Sequence, residues 1–449
     1  MKKHLNILLV SGNDFFSDYG GGEQYLRNLT DEFIRREEQI TLFSEVRPDK
    51  PDEPVSGYRG VEVHHILSRK MDRNLLKEHI LALAPDVVHA HGYKTETAVI
   101  CHELKIPCVV TVHHGGIVCP QGALLNSKDE ICHKRASIRD CLSCVLRKVP
   151  GGQMWLPLLR VIPEKQRNRW GELIQKKRFV PFVTPILAST HQIERKLQEW
   201  SLLRDRATHF IAPSEAMLRS LLINGVRANK LKLIPHGIPV VATNLAINSV
   251  SDNGNRLKFF YFGRLSYEKG IHILLKAFDF YCRQHPDSRS ELHIIGGAES
   301  RAEIRYWETQ YRRYIGRKTT HESEKQRIIY HGKLPQPEAF RLIQKLDVMV
   351  HPAICLEVYG LNIAEALMLN KPVLATRCGG AEAQIEEGIN GYLYNPLQWE
   401  ELAELIAFFE NNPALIRRLS EKASRKVVNI RHHAEEILEE YQSVLKNYS

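Results

Sequence analysis

At 449 residues the chain is longer than one hydrophobic core ordinarily organises, and two domains of roughly 200 residues each are expected. With 43% hydrophobic and 25% charged residues it has the composition of a globular protein, and no apolar run approaches the ~18–20 residues needed to span a bilayer. The net charge of +10 raises the question of nucleic acid, yet no reader motif is present and aromatics do not interleave with the basic residues, so no nucleic-acid partner is expected.

The chain opens on MKKHLNILLVSGND, two lysines before an apolar run. That run ends after about six residues, short of a secretory h-region, with no small-residue cleavage site behind it. It reads as a buried first strand, and a cytoplasmic protein with reduced thiols is expected. Strands are then expected at QITLFSE, VEVHHIL, DVVHAHG and PCVVTVHH, separated by the helical patterns GEQYLRNLTDEFIRREE, RNLLKEHILALA and TETAVICHELK. An insertion over about residues 117–204 interrupts the alternation, which resumes with THFIAPS and KLKLIPHG. Residues 240–255 lack periodicity and read as a linker.

The second half repeats the scheme. LKFFYFGRL, ELHIIGGA, RIIYHGK, DVMVHPA and KPVLATRC read as strands, with EKGIHILLKAFDFYCRQH, EAFRLIQKL and YGLNIAEALMLN as helices. Helical patterns from Leu397 to Val428, with a break at Pro413, and from His432 to Asn447 close the chain. Alternating strand and helix predicts an α/β protein of two doubly wound Rossmann-like domains facing a central cleft, where open α/β sheets bind ligands. The expected division is 1–240 and 241–430, with a helix at 431–449 returning toward the first domain.

Three stretches carry chemistry. In DYGGGEQYLRNL, from Asp18 to Leu29, Gly21 and Gly22 stand between the first strand and a helix. Such a loop lets backbone amides approach an anion, but it also occurs for packing reasons, and it is not the dinucleotide GxGxxG. In FGRLSYEKG, Arg264 and Lys269 lie five positions apart at the end of a strand and can reach one point. Together they fit a diphosphate; singly, either fits a structural salt bridge. In EVYGLNIAE, Gly360 is placed to end a loop and start a helix, leaving Glu357 in the loop and Glu365 one turn inside. The amides of Leu361, Asn362 and Ile363 would then face an anion. Two unrelated surface glutamates remain the plainer alternative.

These motifs, with KPVLATRCGG and EEGINGYLY, and GGGEQYLRNL, PDVVHAHG, TVHH, APSEAM and IPHGI in the first half, resemble family 4 of the retaining glycosyltransferases. The resemblance covers nearly the whole chain outside about 117–204 and implies the two-domain GT-B fold. It implies a nucleotide-sugar donor, a UDP-sugar first, held mainly by the second domain, and an acceptor held by the first; a saccharide or polyprenyl-linked acceptor is expected, with a soluble small molecule as the alternative. By the same resemblance, Arg264 and Lys269 neutralise the diphosphate, Gly21 or Gly22 approaches it, Glu357 meets donor-sugar hydroxyls, Glu365 the ribose, and His113 the reaction centre. No cofactor is implied at the reaction centre, and no DxD-like metal set stands beside these residues. Two departures are visible. Asn370 replaces a Gly, and His351-Pro352 replaces Pro-Ser, neither expected to touch the charged residues. A sugar-nucleotide epimerase, a phosphorylase and a non-catalytic sugar-binding member are the rivals.

The insertion has two parts. Cys119, Cys132, Cys141 and Cys144 follow the spacing C-x12-C-x8-C-x2-C. Its closing CLSC pair is zinc-like, and the resemblance extends to a CP…C…CxxC insertion after the histidine, so a structural zinc is the leading expectation. Reduced thiols, an iron–sulfur centre and disulfides stay open. Residues 147–206 then hold thirteen Lys or Arg against five Asp or Glu, a net of +8, around WLPLLRVIP and FVPFVTPILA. This fits peripheral contact with an anionic inner membrane face or a phosphorylated acceptor, or simply a solvated helical hairpin.

Overall fold

The computed structural model describes residues 4–16, 20–46, 57–67, 73–147, 149, 151–163, 166, 183–240, 256–316 and 327–448. The chain forms two compact units, Met1–Gly237 with Ile430–Ser449, and Ile238–Asn429.

The first unit is built on eight strands: β1 (Asn6–Val10), β2 (Gln39–Val46), β3 (Gly57–Tyr58), β4 (Val61–Leu67), β5 (Val87–Ala90), β6 (Cys108–Thr111), β7 (His209–Ala212) and β8 (Leu231–Leu233). They lie in the order β3-β4-β2-β1-β5-β6-β7-β8, parallel throughout except for the β3–β4 edge pair. β1, β5, β6 and β7 are almost wholly buried, as strands covered by helices on both faces must be. The order reverses at β1, which has β2 on one side and β5 on the other, so a crevice opens beyond their carboxyl ends. There the backbone leaves no room for a side chain. A Cβ on Gly92 would sit 1.9 Å from the Gly12 Cα.

Helices α1 (Gly21–Arg35), α2 (Arg73–Leu83) and α3 (Lys94–Leu104) connect the early strands. The insertion contributes α4 (Ile138–Leu146), α5 (Leu156–Val161) and α6 (Val183–Arg206), which close on a small core of their own around Leu142, Leu146, Leu159 and Ile193. α7 (Glu215–Ile223) precedes β8 and is capped by the Ser214 side chain, which accepts from the Met217 amide at 3.3 Å.

The second unit carries β9 (Lys258–Phe262), β10 (Glu291–Ile295), β11 (Ile328–Gly332), β12 (Val348–His351), β13 (Val373–Thr376) and β14 (Gly391–Tyr394), all parallel, in the order β11-β10-β9-β12-β13-β14. Its switch point lies at β9, between β10 and β12. Around the sheet lie α8 (Ile271–Gln284), α9 (Arg301–Tyr314), α10 (Gln336–Ile343), α11 (Leu361–Met368), α12 (Gly380–Gln384), α13 (Trp399–Glu410) and α14 (Pro413–Glu421). One core joins Phe259, Tyr261, Leu274, Phe278, Ile294 and Ile406.

The last helix, α15 (Ile430–Tyr448), belongs to the first unit and packs on α1, with Arg36 and Glu435 paired at 3.0 Å. Most expected elements stand where the sequence put them; β3, α4, α7, α9, α12 and β14 were not foreseen. For α9 the missed signal was local. Ser300 and Glu303 form a reciprocal capping box ahead of a polar helix with little apolar stripe. The 241–255 part of the linker and Asp18, Lys176, Lys177 and Arg178 lie outside the described residues.

Candidate active site

In the second unit, β9 hands over to a loop that carries Arg264 and then Lys269. Gly270 makes the turn possible: its φ is +69°, and a Cβ there would meet the Pro352 carbonyl oxygen at 1.8 Å. Lys269 is thereby held under the loop after β12, where its ammonium donates to the carboxylate of Glu357. Both side chains are largely buried, at 22% and 13% exposed. Glu357 is fixed by its backbone as well, its amide donating to Cys378 and its carbonyl accepting from Gly380, each at 2.7 Å. Burial alone would raise the Glu357 pKa, but the Lys269 charge and the His351 contact outweigh it and hold the carboxyl well below the usual range. For Lys269 burial acts to lower the pKa, and the Glu357 charge overrides it upward. The pair is ionised.

His351 enters this site against expectation. Its Nε2 lies 3.4 Å from Glu357 Oε2 and its Nδ1 3.4 Å from Asn362 Nδ2, with the ring 1% exposed. The substitution thus does touch the charged residues, because β12 ends on the imidazole directly beneath the Glu357 loop. The other departure has a simple account. Asn370 has φ +59°, a left-handed turn where Gly is easiest and Asn is among the residues that tolerate it.

Gly360, at φ +85°, starts α11. The amides of Leu361 and Asn362 head the helix, while that of Ile363 is turned inward and donates to the Gly360 carbonyl at 2.9 Å. Ile363 therefore departs from the expected set of anion-facing amides. Asn362 donates its side-chain amide to the Phe262 carbonyl at 2.7 Å, tying the helix start to the end of β9. Glu365 sits one turn inside and accepts from Gln336 Nε2 at 2.8 Å. Burial pushes its carboxyl up to about 7, against the lowering effect of Gln336. Arg264 is half exposed, its Nε 3.5 Å from Glu303 Oε1. The loop between Arg264 and Lys269 also buries Ser266, whose Oγ has no hydrogen-bond partner among the described residues. Gln336 lies in none of the stretches that carry chemistry in the sequence, Ser266 sits unmarked inside FGRLSYEKG, and His351 stood out only as a departure.

In the first unit, a cavity of about 530 Å³ opens beyond β1 and β5 and is lined by Gly22, His91, Lys94, His113 and Lys196 among others. Gly21 opens α1 after Gly20, and a Cβ on Gly22 would meet nothing within 4 Å. His113 and His91 are hydrogen-bonded, Nε2 to Nδ1 at 2.9 Å. Burial, then the charge of His236, keeps His113 well below the usual imidazole range. Lys94 donates to the His91 carbonyl, and burial, with Lys196 nearby, lowers its pKa to about 8.

Cys119, Cys132, Cys141 and Cys144 all border a second cavity of about 390 Å³ in the insertion, as free cysteines. They are neighbours, but among the described residues no group of three or more His, Cys, Asp or Glu is placed to hold a metal ion. The expected structural zinc therefore gains no support from the placement of these donors. The Leu125–Ile131 bridge sets Cys132 on a small antiparallel turn, whereas Cys141 and Cys144 ride on α4.

Two parallel α/β units, each with its loops gathered at a sheet switch point, define the class as the GT-B fold. Residues 237–426 match the family described as glycosyl transferases group 1, and residues 19–137 match glycosyltransferase family 4. The chain thus carries one region of each glycosyltransferase family. It is 28% identical over 198 residues to a sucrose synthase of Melioribacter roseus, covering 40% of this chain and 25% of that one. It is 28% identical over 188 residues to a D-inositol 3-phosphate glycosyltransferase of Corynebacterium urealyticum, covering 41% and 42%. The chain thus spans less than half the length of either relative. Its fold is similar to that of Anabaena HepE in complex with UDP and glucose, with TM-score 0.65, 18% identity, and 98% and 100% of the two chains covered.

Proposed function

We propose that the protein is a retaining glycosyltransferase that moves a sugar from a nucleotide diphosphate sugar, a UDP-sugar first, to a hydroxyl of a saccharide or polyprenyl-linked saccharide. The observation that carries this reading is the Lys269–Glu357 ion pair beside the start of α11. Arg264, Lys269 and the amides of Leu361 and Asn362 supply positive charge where a leaving diphosphate develops its negative charge, and one well-placed donor of this kind is worth ~3–4 kcal/mol. Glu357 accepts from donor-sugar hydroxyls and Glu365 from the ribose. The leaving phosphate assists deprotonation of the acceptor on the same face of the sugar, so no covalent enzyme nucleophile is required.

The first unit holds the acceptor in this reading, in the cavity beside His113, with Gly21 and Gly22 facing the diphosphate. A lipid-linked acceptor places the enzyme at the inner membrane face in surface polysaccharide or glycolipid synthesis. Among the described residues no helix is long and apolar enough to cross a membrane. The test is nucleotide release from a panel of UDP-, GDP- and ADP-sugars, with anomeric configuration of the product read by NMR. Retention with one donor class supports the reading; an inverted product, or no donor bound or turned over, overturns it.

A further inference from the structure

α3, eleven residues long, begins at the cavity beyond β1 and β5, and Tyr93, Lys94, Thr95 and Glu96 all border that cavity. Tyr93 heads the helix in a left-handed turn, φ +44°, and gives it no side-chain cap, so the first-turn amides lack a capping oxygen. His91 borders the same cavity. It is 8% exposed, and its Nε2 has no hydrogen-bond partner among the described residues. Its bond to His113 decides what that nitrogen offers. Both rings are kept neutral, first by burial, then by repulsion from His89 on His91 and from His236 on His113. With His113 Nε2 donating to His91 Nδ1, the proton of His91 stands on Nε2, a buried donor in want of an acceptor.

The charges around the cavity are unevenly matched. Of its three carboxylates, Glu199 pairs with Arg195 at 3.5 Å and Lys196 at 3.7 Å, Glu23 accepts from the Asn13 amide, and Glu96 is exposed. Lys94 has no carboxylate in hydrogen-bond contact among the described residues; its ammonium donates to the His91 carbonyl alone. Burial and then Lys196 lower its pKa, with Glu23 offsetting part of that. Lys94 in turn adds to the burial that depresses His91, His113 and His114. An anion at the head of α3 relieves all of these repulsions together and accepts from the bare amides and from His91.

We propose that the head of α3 is an anion site, where Lys94, the first-turn amides and His91 hold a phosphoryl group of the acceptor and Lys196 adds charge from α6. An ammonium, a helix start and an imidazole are three kinds of donor, which suits a group with three free oxygens better than a planar carboxylate with two. The inference rests on the transferase reading, which puts the acceptor in this cavity, and narrows that acceptor to a phosphorylated one. A soluble sugar phosphate and the phosphate of a polyprenyl carrier offer the same chemistry.

The experiment is calorimetric titration of the full chain with inorganic phosphate, in the wild type, Lys94→Gln, Lys196→Gln and Arg264→Gln. Lys94→Gln is expected to weaken binding by about tenfold or more, as loss of a charge-assisted hydrogen bond does. Lys196→Gln changes a side chain that is 32% exposed and keeps the test open should Lys94→Gln fail to fold; it is expected to weaken binding about threefold. Arg264→Gln, in the other unit, is expected to leave this binding in place. No phosphate binding, an affinity that neither lysine variant changes, or one that falls only with Arg264→Gln would each overturn the inference. Displacement of the phosphate by a hexose phosphate assigns a soluble acceptor, and displacement by a short-chain polyprenyl phosphate a lipid-linked one; displacement by neither overturns the assignment to the acceptor. Phosphate held at Lys94 with no nucleotide sugar turned over would refute the transferase reading and leave the anion site standing, whereas donor turnover with no phosphate bound would do the reverse.

Discussion

Lys269 reaches across 88 positions of sequence to donate to Glu357, and each holds the other in its charged form. Neither charge has a comparable partner once the other is removed. Lys269→Met and Glu357→Gln are each expected to lower turnover by ~10²–10³ and to destabilise the second unit by about 2 kcal/mol, less than the ~3–5 of a fully buried pair because both groups retain some solvent. The double variant loses less stability than the sum of the singles. Denaturant unfolding of the three proteins checks it, and strict additivity would show that the pair is not coupled. Because the folded pKa of Glu357 is depressed, its stabilisation is present above the ordinary carboxylate range and is lost as pH falls below it.

His351 acts through Glu357, as a positioning residue. Its Nε2, 3.4 Å from the carboxylate, blocks one direction in which the Glu357 side chain could swing. His351→Ala is expected to cost about tenfold in kcat/KM by loosening that geometry. His351→Asn, which keeps a polar group beside the carboxylate, recovers part of the loss. Steady-state kinetics of both variants decide the matter: equal losses would reduce His351 to a packing role.

Much of this was legible because it is local. Gly360 marked the start of α11, and the spacing between Arg264 and Lys269 placed both on one loop after β9. The histidine was not, since the contact between His351 and Glu357 depends on how the end of β12 stacks beneath the next loop, a matter of tertiary packing rather than of pattern. The same holds for Ile363. Its position suggested a free amide, but whether the first turn closes on Gly360 is decided by backbone geometry. α9 was hidden for a different reason. RAEIRYWETQYRRY buries only Trp307 deeply, so the apolar periodicity that announces most helices is nearly absent.

If Glu365 meets the ribose as proposed, nucleotide binding should depend on pH near neutrality. With its pKa at about 7, the unliganded carboxyl is protonated in mild acid and ionised in mild base. The raised value means that the folded state is favoured by the neutral acid: that stabilisation is full below the ordinary carboxylate pKa and is lost as pH rises through about 7. Only the ionised form can accept two ribose hydroxyls, so UDP is expected to bind about tenfold more tightly at pH 8 than at pH 6. Calorimetric titration across that window tests it. Glu365→Gln should bind more weakly at pH 8 and show no such slope, and a flat wild-type profile would remove Glu365 from the nucleotide site.

The first unit should be the more acid-labile one, because it buries more imidazoles, His89, His91, His209, His236 and His433 against His293 and His351 in the second. His89 bonds Tyr441 and, at 2.7 Å, Thr111, while His433 lies 2.8 Å from Tyr25 and 2.7 Å from the Pro235 carbonyl. Both rings are fully buried, and His433 and Tyr441 come from α15, so the last helix is locked to the sheet through neutral side chains. Burial, with smaller repulsion from His433 and Lys94, lowers His89 to about 3. Burial, partly offset by the Pro235 carbonyl, lowers His433 to about 4. For a depressed histidine the stabilisation is present above the unfolded pKa of ~6.5 and is lost as pH falls toward the folded value. By pH ~4.5 each of the two costs about 2–3 kcal/mol, which together lowers the melting temperature of this unit by about 10 °C. Calorimetry at neutral and acid pH should resolve an early transition that moves with pH, and His433→Gln should flatten its slope while weakening it at pH 7. A first-unit transition that stays in place between pH 7 and pH ~4.5 would mean that α15 leaves the sheet before its histidines are asked to titrate.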